Sequence, residues 1–136
     1  MNEQAAIVDT VLSHYPDVQA IYLFGSYGTE GEWPNSDVDI ALLLSPERAK
    51  SEKHLILSPC RFDLEKALDR DVDLLNARQV STVFQKEIIY GRLVYCLDRY
   101  AVDEFEMLTL SYYQKLNEER REILEAFFRT GRAYPV

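Results

Sequence analysis

The stretch from Phe24 to Asp39 limits the folds open to this chain more than any other feature. An apolar run, Ile21-Tyr22-Leu23-Phe24, gives way to Gly25-Ser26. The stretch closes on Asp37-Val38-Asp39, at the head of a second apolar run, Ile40-Ala41-Leu42-Leu43-Leu44. Both runs read as short strands. Residues i and i+2 of a strand share a face, so Asp37 and Asp39 point one way and Val38 points into the core. Two neighbouring carboxylates repel each other unless a cation sits between them. A hard, oxygen-seeking ion such as Mg²⁺ relieves that repulsion and keeps positions open for phosphate oxygens. Gly25 lets backbone approach a ligand closely. Ser26 adds a hydroxyl and an N–H, and a helix starting there favours an anion. These residues describe a site that holds a nucleoside triphosphate by phosphate and metal together.

Helical and strand patterns alternate along the rest of the chain. Residues 5–12 carry a helical stripe ended by Pro16, and residues 18–24 form the first strand. Residues 26–30 suit a helical turn, and Gly31 to Ser36 suit a loop that Trp33 lids. Residues 37–44 form the second strand. Ser45-Pro46 opens a helix as N-cap and N1, and Ser58 caps another running over residues 60–68. Residues 71–75 form a third strand. A helix follows over residues 79–90, stopped by Gly91, and then an edge strand over residues 93–97. Asp98 caps a last long helix, about residues 99–129. Strands mixed with helices in a hairpin-free order indicate an α/β or α+β class.

No linker or repeat divides the chain, so residues 1–136 are expected to form one domain. A net charge of −8 argues against a broad grip on a nucleic-acid backbone. It suits a basic protein partner, or serves only solubility. Cys60 and Cys96 have no partnering pattern, and His14 and His54 are the only histidines, which argues against zinc. No run approaches the ~20 apolar residues of a membrane span. The N-terminus lacks the order of a signal peptide, so a cytoplasmic protein is expected.

Gly-Ser, ten residues, then Asp-x-Asp resembles the signature of the DNA polymerase β-like nucleotidyltransferase superfamily. The short chain is similar to its minimal branch, the MntA-type antitoxins of HEPN/MNT toxin–antitoxin pairs. The likeness is strongest from Val18 to Leu75 and weaker through Tyr95. It implies a small mixed β-sheet with helices packed on one side. It also implies two-metal nucleotidyl transfer, whose ions lie ~3.5–4 Å apart and need a third carboxylate from a neighbouring strand. By position Asp71 and Asp73 both qualify. The family's third acid stands within an apolar-Asp-apolar strand, and Val72-Asp73-Leu74 matches that pattern.

By this resemblance Gly25 and Ser26 seat the phosphates of ATP, and Asp37, Asp39 and Asp73 hold Mg²⁺ and carry the chemistry. The implied acceptor is a hydroxyl, tyrosine above all, on a HEPN-family ribonuclease toxin, with no nucleic acid or membrane in direct contact. Two alternatives remain open: an antitoxin that neutralises by binding alone, and transfer to a small molecule of aminoglycoside type. Relatives often carry a basic residue soon after Gly-Ser, but here Tyr27-Gly28-Thr29-Glu30 follows. Phosphate charge then falls to metal or to a distant cation such as Arg48, Lys50 or Lys53. The last helix, with Tyr112, Tyr113, Phe127 and Phe128, suits either docking of a partner or packing on the chain's own sheet.

Overall fold

The computed structural model describes residues 2–25 and 37–130. Helix α1, Glu3–His14, starts at Asn2, whose side chain accepts from the Gln4 N–H. Strands β1, Ala20–Phe24, and β2, Val38–Leu43, follow. Helix α2, Pro46–Ser51, is capped by Ser45, and α3, Pro59–Leu68, by Ser58, each with proline in its first turn. Strand β3, Val72–Asn76, leads through a 3₁₀ turn to α4, Thr82–Ile89, and β4, Arg92–Cys96, leads to α5, Arg99–Thr130. Asp98 caps α5 by accepting from the Ala101 N–H at 3.0 Å.

The sheet order is β3-β2-β1-β4, mixed in direction. Strand β1 runs antiparallel to both β2 and β4, and β2 runs parallel to β3. The α/β class and the edge position of β4 match the expectation. Two details differ. Consecutive strands β1 and β2 pair directly, so the order is not hairpin-free. Helices cover both faces of the sheet, not one. Ile21, Leu23, Ile40 and Leu42 pack with α1 and α3, whereas Tyr22, Phe24, Ala41 and Leu43 pack with α4 and the start of α5. The reason is visible in the strands. β1 is buried at every position and β2 at all but Asp39, so both pleat faces are apolar and each needs cover.

Helix α5 is ~48 Å long at 1.5 Å per residue. Val102, Phe105 and Thr109 are buried, and Phe105 meets Tyr22 with ring centroids 6.5 Å apart. Farther along, Tyr112, Leu116, Leu124 and Phe127 are exposed, so the helix divides between packing on its own sheet and presenting an open surface. Among the described residues no helix is long and apolar enough to cross a membrane.

Candidate active site

The parallel register of β2 and β3 makes Asp39 and Asp73 direct neighbours. Residues in register share a face, and the charge of Asp73 acts on the Asp39 carboxyl. Val38 and Val72, beside them in sequence, are buried on the opposite face. Strand alternation therefore drives both acids onto the face that α4 covers. Asp73 stands between Val72 and Leu74, both buried. Asp71 lies outside the strand and exposed, and its carbonyl accepts from the Val38 N–H at 2.9 Å.

Burial, the neighbouring charge and hydrogen bond of Asp73, and the charge of Asp37 push the Asp39 carboxyl up to about 6. Two carboxylates side by side repel, and that repulsion favours a proton on Asp39. Asp37 precedes the ladder and is exposed. It acts on Asp39 through charge. Among the described residues, no three His, Cys, Asp or Glu side chains form a ready metal cage. Of the three expected acids, Asp39 and Asp73 are register partners, and Asp37 lies just before the ladder.

Gly25 directly follows β1 and has φ +72°, a left-handed conformation that side chains rarely adopt. A Cβ there would run into Asp39 Oδ2. Glycine is therefore required twice, by backbone shape and by the closeness of the carboxylate. Ser26, the turn over residues 26–30, and Trp33 lie outside the described residues.

Other residues escaped the sequence reading. Gly91, expected only to stop a helix, also packs against the Leu23 carbonyl and Phe24, where a Cβ would not fit. Arg61 Nε donates to the Val72 carbonyl at 2.8 Å, and Glu65 accepts from the Val72 N–H at 3.0 Å. This Arg–Glu pair, itself linked at 3.4 Å, pins β3 immediately before Asp73. Its i,i+4 spacing was the available signal. Phe84 of α4 meets Phe24, the register partner of Asp39, edge to face at 5.7 Å and floors the acid side of the sheet.

The cations named from sequence do not reach the acids. Arg48 and Lys50 lie on α2, and Lys53 soon follows it. Asn76, the last residue of β3, holds this region by donating to the Ala49 and Glu52 carbonyls at 3.0 and 3.1 Å. That is three residues beyond Asp73, ~10 Å along the strand. Chain order misled here: α2 follows β2 closely, but it leaves from the end opposite Asp39.

The polymerase beta, nucleotidyltransferase family pattern matches residues 7–100. The chain is 35% identical to protein adenylyltransferase MntA of Shewanella oneidensis over 121 residues, covering 88% of this chain and 83% of that protein. A crystal structure of a toxin–antitoxin with AMP-PNP is similar at a TM-score of 0.71 and 31% identity, covering 94% of this chain and 99% of that one. A structure of tri-AMPylated Shewanella oneidensis HEPN toxin in complex with MNT antitoxin is similar at a TM-score of 0.65 and 30% identity, covering 93% and 96%.

Proposed function

The chain belongs to the polymerase beta nucleotidyltransferase family, and from that premise we propose that it is an antitoxin that neutralises a HEPN-family ribonuclease toxin by moving AMP from ATP onto a toxin hydroxyl, a tyrosine by preference. The relatives support the donor and the partner: one is a protein adenylyltransferase, one structure carries AMP-PNP, and one holds an AMPylated HEPN toxin. In this reading residues 1–136 act as one cytoplasmic domain.

The observation that carries the reading is the Asp39–Asp73 pair set against the Gly25 turn. An all-oxygen donor set suits Mg²⁺, and a divalent cation between the two carboxylates would relieve their repulsion. Asp37, Asp39 and Asp73 would hold the metal. Bound there, it would neutralise triphosphate charge and sharpen the attacking oxygen. Gly25 lets the turn close on Asp39, and the N–H and hydroxyl of Ser26 seat the phosphate oxygens. The acceptor oxygen attacks the α-phosphorus in line. The bond to the bridging oxygen breaks, pyrophosphate departs, and Asp73 receives the acceptor's proton. Residues 26–36 contain no Lys or Arg, so this chemistry leans on metal and backbone N–H groups. The exposed part of α5, with Tyr112 and Leu116, faces the toxin.

The test is incubation with labelled ATP, Mg²⁺ and a HEPN-family toxin. Label transfer to the toxin by wild type and none by Asp39→Asn supports the reading. Full neutralisation by Asp39→Asn without label would favour simple covering of the toxin.

A further inference from the structure

At the end of the sheet away from the acids, α1, α2 and α3 enclose an open cleft of about 500 Å³. Its wall gathers Arg48, Lys53 and His54, with hydroxyls from Ser51 and Ser58, against one acid, Glu52. This is a cationic concentration on a chain whose net charge is −8. Arg48 is the best held of these groups. Its guanidinium lies over the Tyr15 ring, 5.2 Å from the centroid, and its Nε is buried without a hydrogen-bond partner among the described residues. Its ion pair to Asp17 is long at 3.8 Å. Lys53 and His54 are exposed, and neither side chain takes part in a hydrogen bond or ion pair among the described residues. Glu52 is engaged by Tyr15, whose hydroxyl donates to its Oε2 at 3.4 Å. His14, also in the wall, is occupied by Asp63 at 2.6 Å.

We infer that this cleft is a second anion site, separate from the catalytic acids, that takes a phosphorylated small molecule. A stacked guanidinium is fixed in direction before any ligand arrives, and guanidinium donors match phosphate oxygens in pairs. The exposed Lys53 ammonium supplies a further contact. The volume falls within the ~300–1,000 Å³ of small-ligand sites, larger than one phosphate needs and suited to a phosphate with an organic portion attached. The inference does not depend on the transferase reading, because none of these residues touches Asp39 or Asp73.

The experiment titrates the full chain with pyrophosphate and with AMP in metal-free buffer, following backbone amide NMR signals and binding heat. Saturable binding of at least one probe is expected, with shifts at Ser51, Lys53 and His54. Arg48→Ala and Lys53→Ala should each weaken it about tenfold, and Asp39→Asn should leave it unchanged. No saturable binding of either probe up to ~10 mM overturns the inference. So do shifts confined to Gly25 and Asp39. Wild-type affinity in Lys53→Ala, an exposed substitution that spares the fold, overturns it as well.

Discussion

At one end of the sheet Arg78 donates from Nε to the Leu44 carbonyl at 2.5 Å and from Nη2 to Gln19 Oε1 at 2.7 Å, while Asn76 bridges the Ala49 and Glu52 carbonyls. At the other end Asp39 and Asp73 face each other across β2 and β3, with Asp37 adding a third negative charge. Both ends bring polar groups out of water. The first provides donors for acceptors, though Asn76 Oδ1 stays buried and unpaired among the described residues. The second sets acid against acid, which together with burial raises the Asp39 carboxyl to about 6. A fold under pressure only for stability has no reason to keep that arrangement. The contrast separates the end that ties helices to the sheet from the end where acidic side chains gather.

The sharpest break in this comparison is Asp39→Asn. Label transfer to the toxin should fall about a thousandfold or more, the scale expected when charge stabilisation of a transition state is removed, while the far-ultraviolet circular dichroism stays that of wild type. Arg78→Ala should do the reverse. Losing two hydrogen bonds from a charged, partly buried group should cost about 2–4 kcal/mol of stability in urea unfolding, with transfer per folded molecule kept within about twofold of wild type. A thousandfold loss of transfer in Arg78→Ala would erase the distinction between the two ends.

Gly25→Ala sits between them. Forcing a side chain into the left-handed region and against Asp39 should lower stability by about 1–3 kcal/mol, and it should also reduce transfer, because the substituted carbon intrudes on the acids. A melting temperature equal to wild type would deny the close approach of the turn to Asp39.

The smallest effect concerns pH. Asp39 holds its proton in the folded chain up to about 6, against 3.8 for an unperturbed aspartate. Its folded pKa is raised, so its contribution is complete below pH ~4 and is lost as pH rises through about 6. Metal-free protein should therefore lose about 1 kcal/mol across that window, a figure discounted for the solvent that reaches the group. Asp39→Asn should flatten this part of the profile, and Mg²⁺ should raise the wild-type melting temperature above pH ~6. A stability rising with pH in the same window, with the slope unchanged by Asp39→Asn, would place the raised carboxyl elsewhere.

Much of this arrangement was legible before any coordinates. Ser45, Ser58 and Asp98 cap helices as their side-chain chemistry requires, and Pro46 and Pro59 occupy first turns where a missing N–H costs nothing. Val38 was readable as an inward position, which turns Asp39 to the opposite face. The direct pairing of β1 with β2, the covering of both faces, and the removal of Arg48, Lys50 and Lys53 from the acids were not readable. Each depends on which end of a strand the chain leaves from. Spacing along the chain does not encode that.

Local order thus set the caps, the strand phases and the choice of glycine and aspartate around residues 25–39, because those depend on backbone shape and alternation within a few residues. Tertiary structure alone decided that β3 lies beside β2 in a register matching Asp73 to Asp39, and that Arg61 and Glu65 pin it there. Register between distant strands is chosen by the two apolar cores they bury together, a long-range balance that no short stretch of sequence carries.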